Sequence, residues 1–124
     1  MARHPRLLFE EAIYHVIFRG VGRQRLFLDD SDYERLLRRV AEAADLFGVR
    51  LYLYCLMSNH VHLLVETPRG NLSRFMSSVL TGYSMYFNLK HRRNGHVTEG
   101  RYKAQVVGGD DYLLRLSRYV HLNP

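Results

Sequence analysis

His60-Val61-His62-Leu63-Leu64-Val65-Glu66-Thr67 is the stretch whose alternation decides the fold. Successive side chains of a β-strand point to opposite faces, so His60 and His62 share one face while Val61, Leu63 and Val65 take the other. One face packs against a core and the other carries two imidazoles. Two neutral rings one strand repeat apart can converge on one metal ion, because imidazole is a common ligand and the strand fixes both. A His-x-His pair can equally be two hydrogen-bonded surface histidines, and spacing alone does not separate the two readings.

Immediately upstream, Arg50-Leu51-Tyr52-Leu53-Tyr54-Cys55-Leu56-Met57 reads as a central strand. The polar break Ser58-Asn59 then makes an antiparallel hairpin with the His-Val-His strand. Further back, Ala12-Ile13-Tyr14-His15-Val16-Ile17-Phe18 is β-branched and aromatic and ends at Arg19-Gly20-Val21-Gly22, which predicts the first strand. Asp29-Asp30-Ser31 supplies N-caps for a helix with Leu36, Leu37, Val40, Ala44 and Phe47 at helical spacing, stopped by Gly48. Its Arg35, Arg38 and Arg39 read as a solvated face.

Downstream, Pro68-Arg69-Gly70-Asn71 ends the His-bearing strand and caps a second helix. Leu72, Phe75, Met76, Val79, Leu80, Tyr83, Tyr86 and Phe87 form one stripe on that helix, which reads as core. It runs out into the basic loop Lys90-His91-Arg92-Arg93-Asn94-Gly95-His96, a candidate phosphate contact if DNA binds nearby, otherwise a solvated charge run. A last strand is expected within 97–107, around Arg101-Tyr102-Lys103-Ala104-Gln105-Val106-Val107. Gly108-Gly109-Asp110-Asp111 then caps a final helix beginning near Tyr112 and ending before Pro124. The order is strand, helix, strand, strand, helix, strand, helix. It predicts an α+β fold, a four-stranded antiparallel sheet flanked by helices, in the order shared by ferredoxin-like and RNA-recognition modules.

The 124 residues suit one domain, and no apolar run approaches the length of a membrane span. Eighteen Lys and Arg against 12 Asp and Glu give a net charge of +6, which favours a polyanionic partner such as nucleic acid. Nine Tyr and six Phe can stack on unpaired bases as well as fill a core. The single cysteine, Cys55, excludes a disulfide and a multi-thiolate metal site, and its apolar neighbours make it a core residue. Met1-Ala2-Arg3-His4-Pro5-Arg6 is too polar for a secretory leader, so a cytoplasmic protein is expected.

Two histidines leave a metal short of ligands, and the final helix offers more donors. Tyr119 and Asn123 are four apart and share a helix face, with Tyr112 on nearly the same stripe. If that helix packs over the His-bearing face, a phenol, a carboxamide and two imidazoles surround one small volume, an arrangement that would suit phosphoryl transfer. A phenol of ordinary pKa, about 10, is a weak nucleophile at neutral pH, and a metal on the scissile phosphate would both withdraw charge and fix the geometry of attack. Tyr119 alone could equally be an ordinary amphipathic-helix tyrosine.

The chain resembles the HUH single-tyrosine transposases, and within them the REP-associated tyrosine transposase branch, from its first strand to its last residue. The resemblance is carried by Tyr14-His15-Val16-Ile17 with Arg19-Gly20, and by Tyr54-Cys55-Leu56-Met57-Ser58-Asn59-His60-Val61-His62-Leu63-Leu64. Gly100-Arg101-Tyr102-Lys103 continues it, as do Tyr112-Leu113-Leu114 and Arg118-Tyr119-Val120-His121-Leu122-Asn123-Pro124. It implies cleavage and rejoining of single-stranded DNA beside a hairpin or REP-like palindrome. By that similarity His60 and His62 are metal ligands, Asn123 the third, and Tyr119 the nucleophile that becomes 5′-phosphotyrosine-linked, while Tyr112 is left to packing. The family implies Mg²⁺ or Mn²⁺, whereas two imidazoles judged by softness alone would rank zinc or manganese. A homodimer is implied as well. Arg19, Arg92, Arg93, Arg101 and Lys103 are the candidate DNA contacts.

Two departures stand out. By the resemblance, family members usually continue past the Asn-Pro at 123–124, so a catalytic domain alone or a truncated copy, without any C-terminal arm, is the expectation. Ser58 stands where many relatives have proline, and both suit a turn. The main rival is a non-catalytic module that binds single-stranded nucleic acid by stacking, which predicts salt-sensitive, metal-independent binding. A two-histidine phosphoesterase would need a second His-containing motif, and the sequence has one.

Overall fold

The computed structural model describes residues 12–107. The expected final helix, with Tyr112, Tyr119 and Asn123, lies outside them. Within them the chain forms β1 (Ala12–Arg19), a short 3-10 turn (Val21–Arg23), α1 (Asp30–Phe47), β2 (Arg50–Leu56), β3 (His60–Thr67), α2 (Leu72–His91) and β4 (Lys103–Val106). The four strands make one antiparallel sheet in the order β2-β3-β1-β4. The expected α+β architecture is therefore present, with one correction. β2 was read as a central strand but lies at the sheet edge, and Tyr52 and Tyr54 are half-exposed there.

Strand alternation sorts the two sheet faces as the sequence requires. Tyr14, Val16 and Phe18 of β1 and Val61, Leu63 and Val65 of β3 pack into one cluster with Leu36, Val40 and Ala43 of α1 and Leu72, Phe75, Met76, Val79, Tyr83 and Phe87 of α2. Each such side chain fully removed from water contributes roughly 1.5–3 kcal/mol, so apolar burial is what holds both helices on this face. The opposite face of the same strands carries His15, His60 and His62.

β2 breaks its own alternation. Leu51 pairs with Val65 and Leu53 with Leu64, so Tyr52 is the extra residue of a β-bulge. Regular alternation would have put Leu51, Leu53 and Cys55 on one face. The bulge instead sends Leu51 to the helix-side core and leaves Leu53 and Cys55 packing with Leu64 on the histidine face. Cys55 is a core residue, as expected, of this smaller second cluster.

The helix ends follow capping chemistry. The Asp29 carboxylate accepts from the Asp32 amide at 3.1 Å, and Asp30 and Asp32 place negative charge in the first turn of α1. Two surface assignments are corrected. Arg39 is not simply solvated, since it donates to the Ser78 carbonyl and hydroxyl at 3.2 Å each and ties α1 to α2. Arg35 lies 4.4 Å above the Tyr86 ring. Lys90 and His91 are likewise not part of a basic loop but the last turn of α2, where they bind Asp32 at 3.0 and 2.9 Å. The last strand is shorter than the 97–107 reading, because 97–99 is spent against the end of β1: Val21 N donates to Val97 O and Glu99 N to Arg19 O. Among the described residues no helix is long and apolar enough to cross a membrane.

Candidate metal and DNA site

β3 holds His60 and His62 on the face away from the helices, with ring centroids 5.0 Å apart and planes inclined by 73°. The hairpin before them is fixed from outside. Gly20 N donates to the Asn59 carbonyl at 2.9 Å, and Leu26 N donates to that of Ser58 at 2.7 Å. Gly20 is required by close approach, since a Cβ there would lie 2.0 Å from the Gln24 carbonyl oxygen. In β1, Arg19 stands opposite His60 and Ile17 opposite His62. In β2, Cys55 stands opposite His62.

Each imidazole has its Nδ1 engaged. His60 Nδ1 lies 3.0 Å from Asn59 Oδ1, and His62 Nδ1 lies 3.0 Å from Nε2 of His15. In both rings, then, Nε2 is the nitrogen a metal would take. Burial holds the His60 imidazole below its ordinary pKa, with Arg19 adding to the effect. Burial also pushes His62 down to about 4, helped by His15, His60 and Arg19. Both rings are neutral at physiological pH, which is the ligating form. The donor set thus fits a divalent ion by its chemistry but does not complete one. Among the described residues no group of three or more His, Cys, Asp or Glu side chains is arranged to hold a metal.

The cations divide between two places. Arg19, Arg101 and Lys103 line a depression of ≈ 80 Å³ with Ile17, Phe18 and Glu99. Lys103 stands opposite Ile17, which in turn stands opposite His62, so this depression adjoins the histidine pair across the sheet. Arg92 and Arg93 instead belong to the helix layer, where they line an open groove with Arg35, Met85 and Leu89.

A family model for IS200-like transposases matches residues 9–123. The chain belongs to the IS200-like transposase family. Its fold agrees with solved transposases: a REP-associated tyrosine transposase bound to a REP hairpin superposes with a TM-score of 0.82 at 13% identity, covering 100% of this chain and 73% of that one. A putative transposase from Deinococcus radiodurans superposes with a TM-score of 0.65 at 16% identity, covering 98% and 95% of the two chains. Among curated proteins there is no match.

For this transposase, the structure brings together His60, His62 and the Arg19, Arg101, Lys103 group, and separates them from Arg92 and Arg93. Tyr119 and Asn123 lie outside the described residues. Sequence reasoning missed His15 and Asn59 as site residues. The signal for His15 was a polar ring in an otherwise apolar strand, on the same alternation as Arg19.

Proposed function

We propose that this transposase nicks and rejoins single-stranded DNA, using a divalent ion held by His60, His62 and Asn123 and the Tyr119 phenol as nucleophile. The observation that supports the reading is the pair of neutral imidazoles, each with Nδ1 engaged, side by side on the sheet face away from the core. Mg²⁺ or Mn²⁺, when bound, would supply Lewis-acid stabilisation of charge on the scissile phosphate.

The chain's own residues supply the rest. Tyr119 Oη bonds to phosphorus as the bond to the departing 3′ oxygen breaks. The proton lost by the phenol is balanced by the one the new 3′-hydroxyl gains. The 5′-phosphotyrosine keeps the energy of the broken diester, so a strand with a free 3′-hydroxyl can be rejoined by the reverse step. Arg19, Arg101 and Lys103 would hold neighbouring phosphates and set the strand's register. A hairpin or REP-like palindrome is the proposed substrate element, in keeping with the DNA bound to the structural relative. A homodimer and a cytoplasmic setting complete the proposal.

The test is a covalent adduct. The protein is incubated with a labelled hairpin oligonucleotide and Mn²⁺ and resolved on a denaturing gel. Wild type is expected to give an adduct that EDTA abolishes and Tyr119→Phe lacks. Metal-independent binding with no adduct would instead support the stacking module.

A further inference from the structure

His15 sits in the middle of β1, 9% exposed, on the histidine face between Ile13 and Ile17. Burying an imidazole there costs free energy that only a hydrogen bond offsets. Its Nε2 meets His62 Nδ1 at 3.0 Å, across two strands and 47 residues of chain. The two ring planes differ by 9° and the centroids are 5.2 Å apart. That separation is nearly the nitrogen–nitrogen distance plus one ring radius at each end, so the rings meet edge to edge in a common plane. A lone pair on one ring nitrogen and an N–H on the other both lie in that plane, and they point at each other.

One proton can join two neutral imidazoles in two ways. If His15 Nε2–H donates to His62 Nδ1, the His62 proton resides on Nε2, where it blocks coordination. If His62 Nδ1–H donates to His15 Nε2, the lone pair of His62 is on Nε2. We propose that His15 is the positioning residue for His62, accepting from Nδ1–H and so holding the ring in the tautomer and plane that ligate through Nε2. The inference rests on the reading of His60 and His62 as metal ligands.

The neighbouring ring gives the comparison. The contact of His60 is with an amide oxygen, Asn59 Oδ1, which can only accept, so His60 carries its proton on Nδ1. With His15 as acceptor, both ligands take the same tautomer from different partners. An outer partner of this kind typically changes metal affinity 10–100-fold when removed, about as much as its effect on ring orientation and basicity allows.

The experiment reads the tautomer first, without metal. With the histidine rings isotopically labelled, a long-range proton–nitrogen correlation spectrum of the full chain distinguishes Nδ1–H from Nε2–H. His62 is expected as Nδ1–H in wild type and in His15→Gln, whose amide oxygen can accept, and as Nε2–H in His15→Leu. Mn²⁺ affinity, read by electron paramagnetic resonance, is expected to fall about 10–100-fold in His15→Leu and to recover largely in His15→Gln. An Nε2–H His62 in wild type would overturn the inference, and needs no variant to be seen. So would a His15→Leu protein with unchanged tautomer and unchanged Mn²⁺ affinity. A wild type that binds no Mn²⁺ yet shows Nδ1–H at His62 would overturn the ligand reading instead, while supporting the His15 hydrogen bond.

Discussion

The Tyr86 hydroxyl of α2 donates to Asp32 Oδ1 of α1 at 2.6 Å, and the Asp32 side chain is wholly buried. The same carboxylate accepts from Leu28 N at 2.9 Å and is met by Lys90 Nζ at 3.0 Å and His91 Nε2 at 2.9 Å. It joins the start of one helix to the end of the other. Removing a buried, multiply bonded carboxylate strands its partners, at a cost of about 3 kcal/mol or more. Asp32→Ala is therefore expected to lower unfolding free energy by about that amount in urea denaturation. Lys90→Met is expected to lose far less, because Tyr86, His91 and the Leu28 amide still bind the carboxylate.

The same residue gives the fold an acid limit. Burial, the largest influence on the Asp32 carboxyl, would raise its pKa, but the hydrogen bonds from Tyr86, Leu28, Lys90 and His91 together outweigh it and hold the carboxyl well below the usual range. The unfolded chain therefore takes up the proton first, at about the ordinary value near 4. The stabilisation is complete above that pH and is lost as pH falls from there toward the lower folded-state value. Acid titration of unfolding free energy is expected to show this loss in wild type and a flatter profile in Asp32→Asn.

How much of this was legible depends on whether a residue's partner is set by local period or by long-range register. The alternation of β3 was readable because one face must be apolar, and that alone put His60 and His62 together. The bulge at Tyr52 was not, since Leu51-Tyr52-Leu53-Tyr54-Cys55 reads as an evenly alternating strand and only pairing with β3 reveals the slip. The role of Asp32 was not legible, because nothing local announces a helix end about sixty residues away. His15 needed the β1–β3 register before its ring could be set beside His62. The family motifs extend to Tyr119 and Asn123, beyond what the described residues bear on.

A metal ion that binds the folded chain and not the unfolded one would stabilise it by mass action. With free Mn²⁺ at 100 times its Kd, wild type is expected to gain about 2.7 kcal/mol, visible as a raised thermal midpoint that EDTA reverses. His60→Ala and His62→Ala are each expected to lose that gain, read as the difference between each variant's midpoints with Mn²⁺ and with EDTA, so that the loss of the His15 hydrogen bond in His62→Ala does not enter the comparison. A gain that survives both substitutions would place the ion elsewhere.

The two cation groups make opposite forecasts for DNA binding. Each side chain on a phosphate adds a fixed increment of salt dependence, so Lys103→Ala or Arg101→Ala should reduce the slope of log affinity against log salt by about 0.7 on single strands. Arg92→Ala and Arg93→Ala should change it less, since both residues lie in the helix layer. Fluorescence anisotropy over a salt series measures all four. The reverse ranking would make the helix-layer groove the main DNA track.

Gly20 couples stability to the histidine pair. A Cβ at this position would meet the Gln24 carbonyl oxygen at 2.0 Å, backbone against backbone, so the loop must shift to admit it. The Gly20 amide also holds the Asn59 carbonyl, one residue before His60, so the shift reaches the hairpin that presents the ring. Overpacking of this kind typically costs about 1–3 kcal/mol. Gly20→Ala is expected to lose stability in that range and to move the ring resonances of His60 more than those of His62, which β1 and β2 hold on both sides. Unchanged stability with unmoved His60 signals would mean that the Gln24 loop gives way on its own, and that the hairpin owes its position to the Leu26–Ser58 hydrogen bond rather than to Gly20.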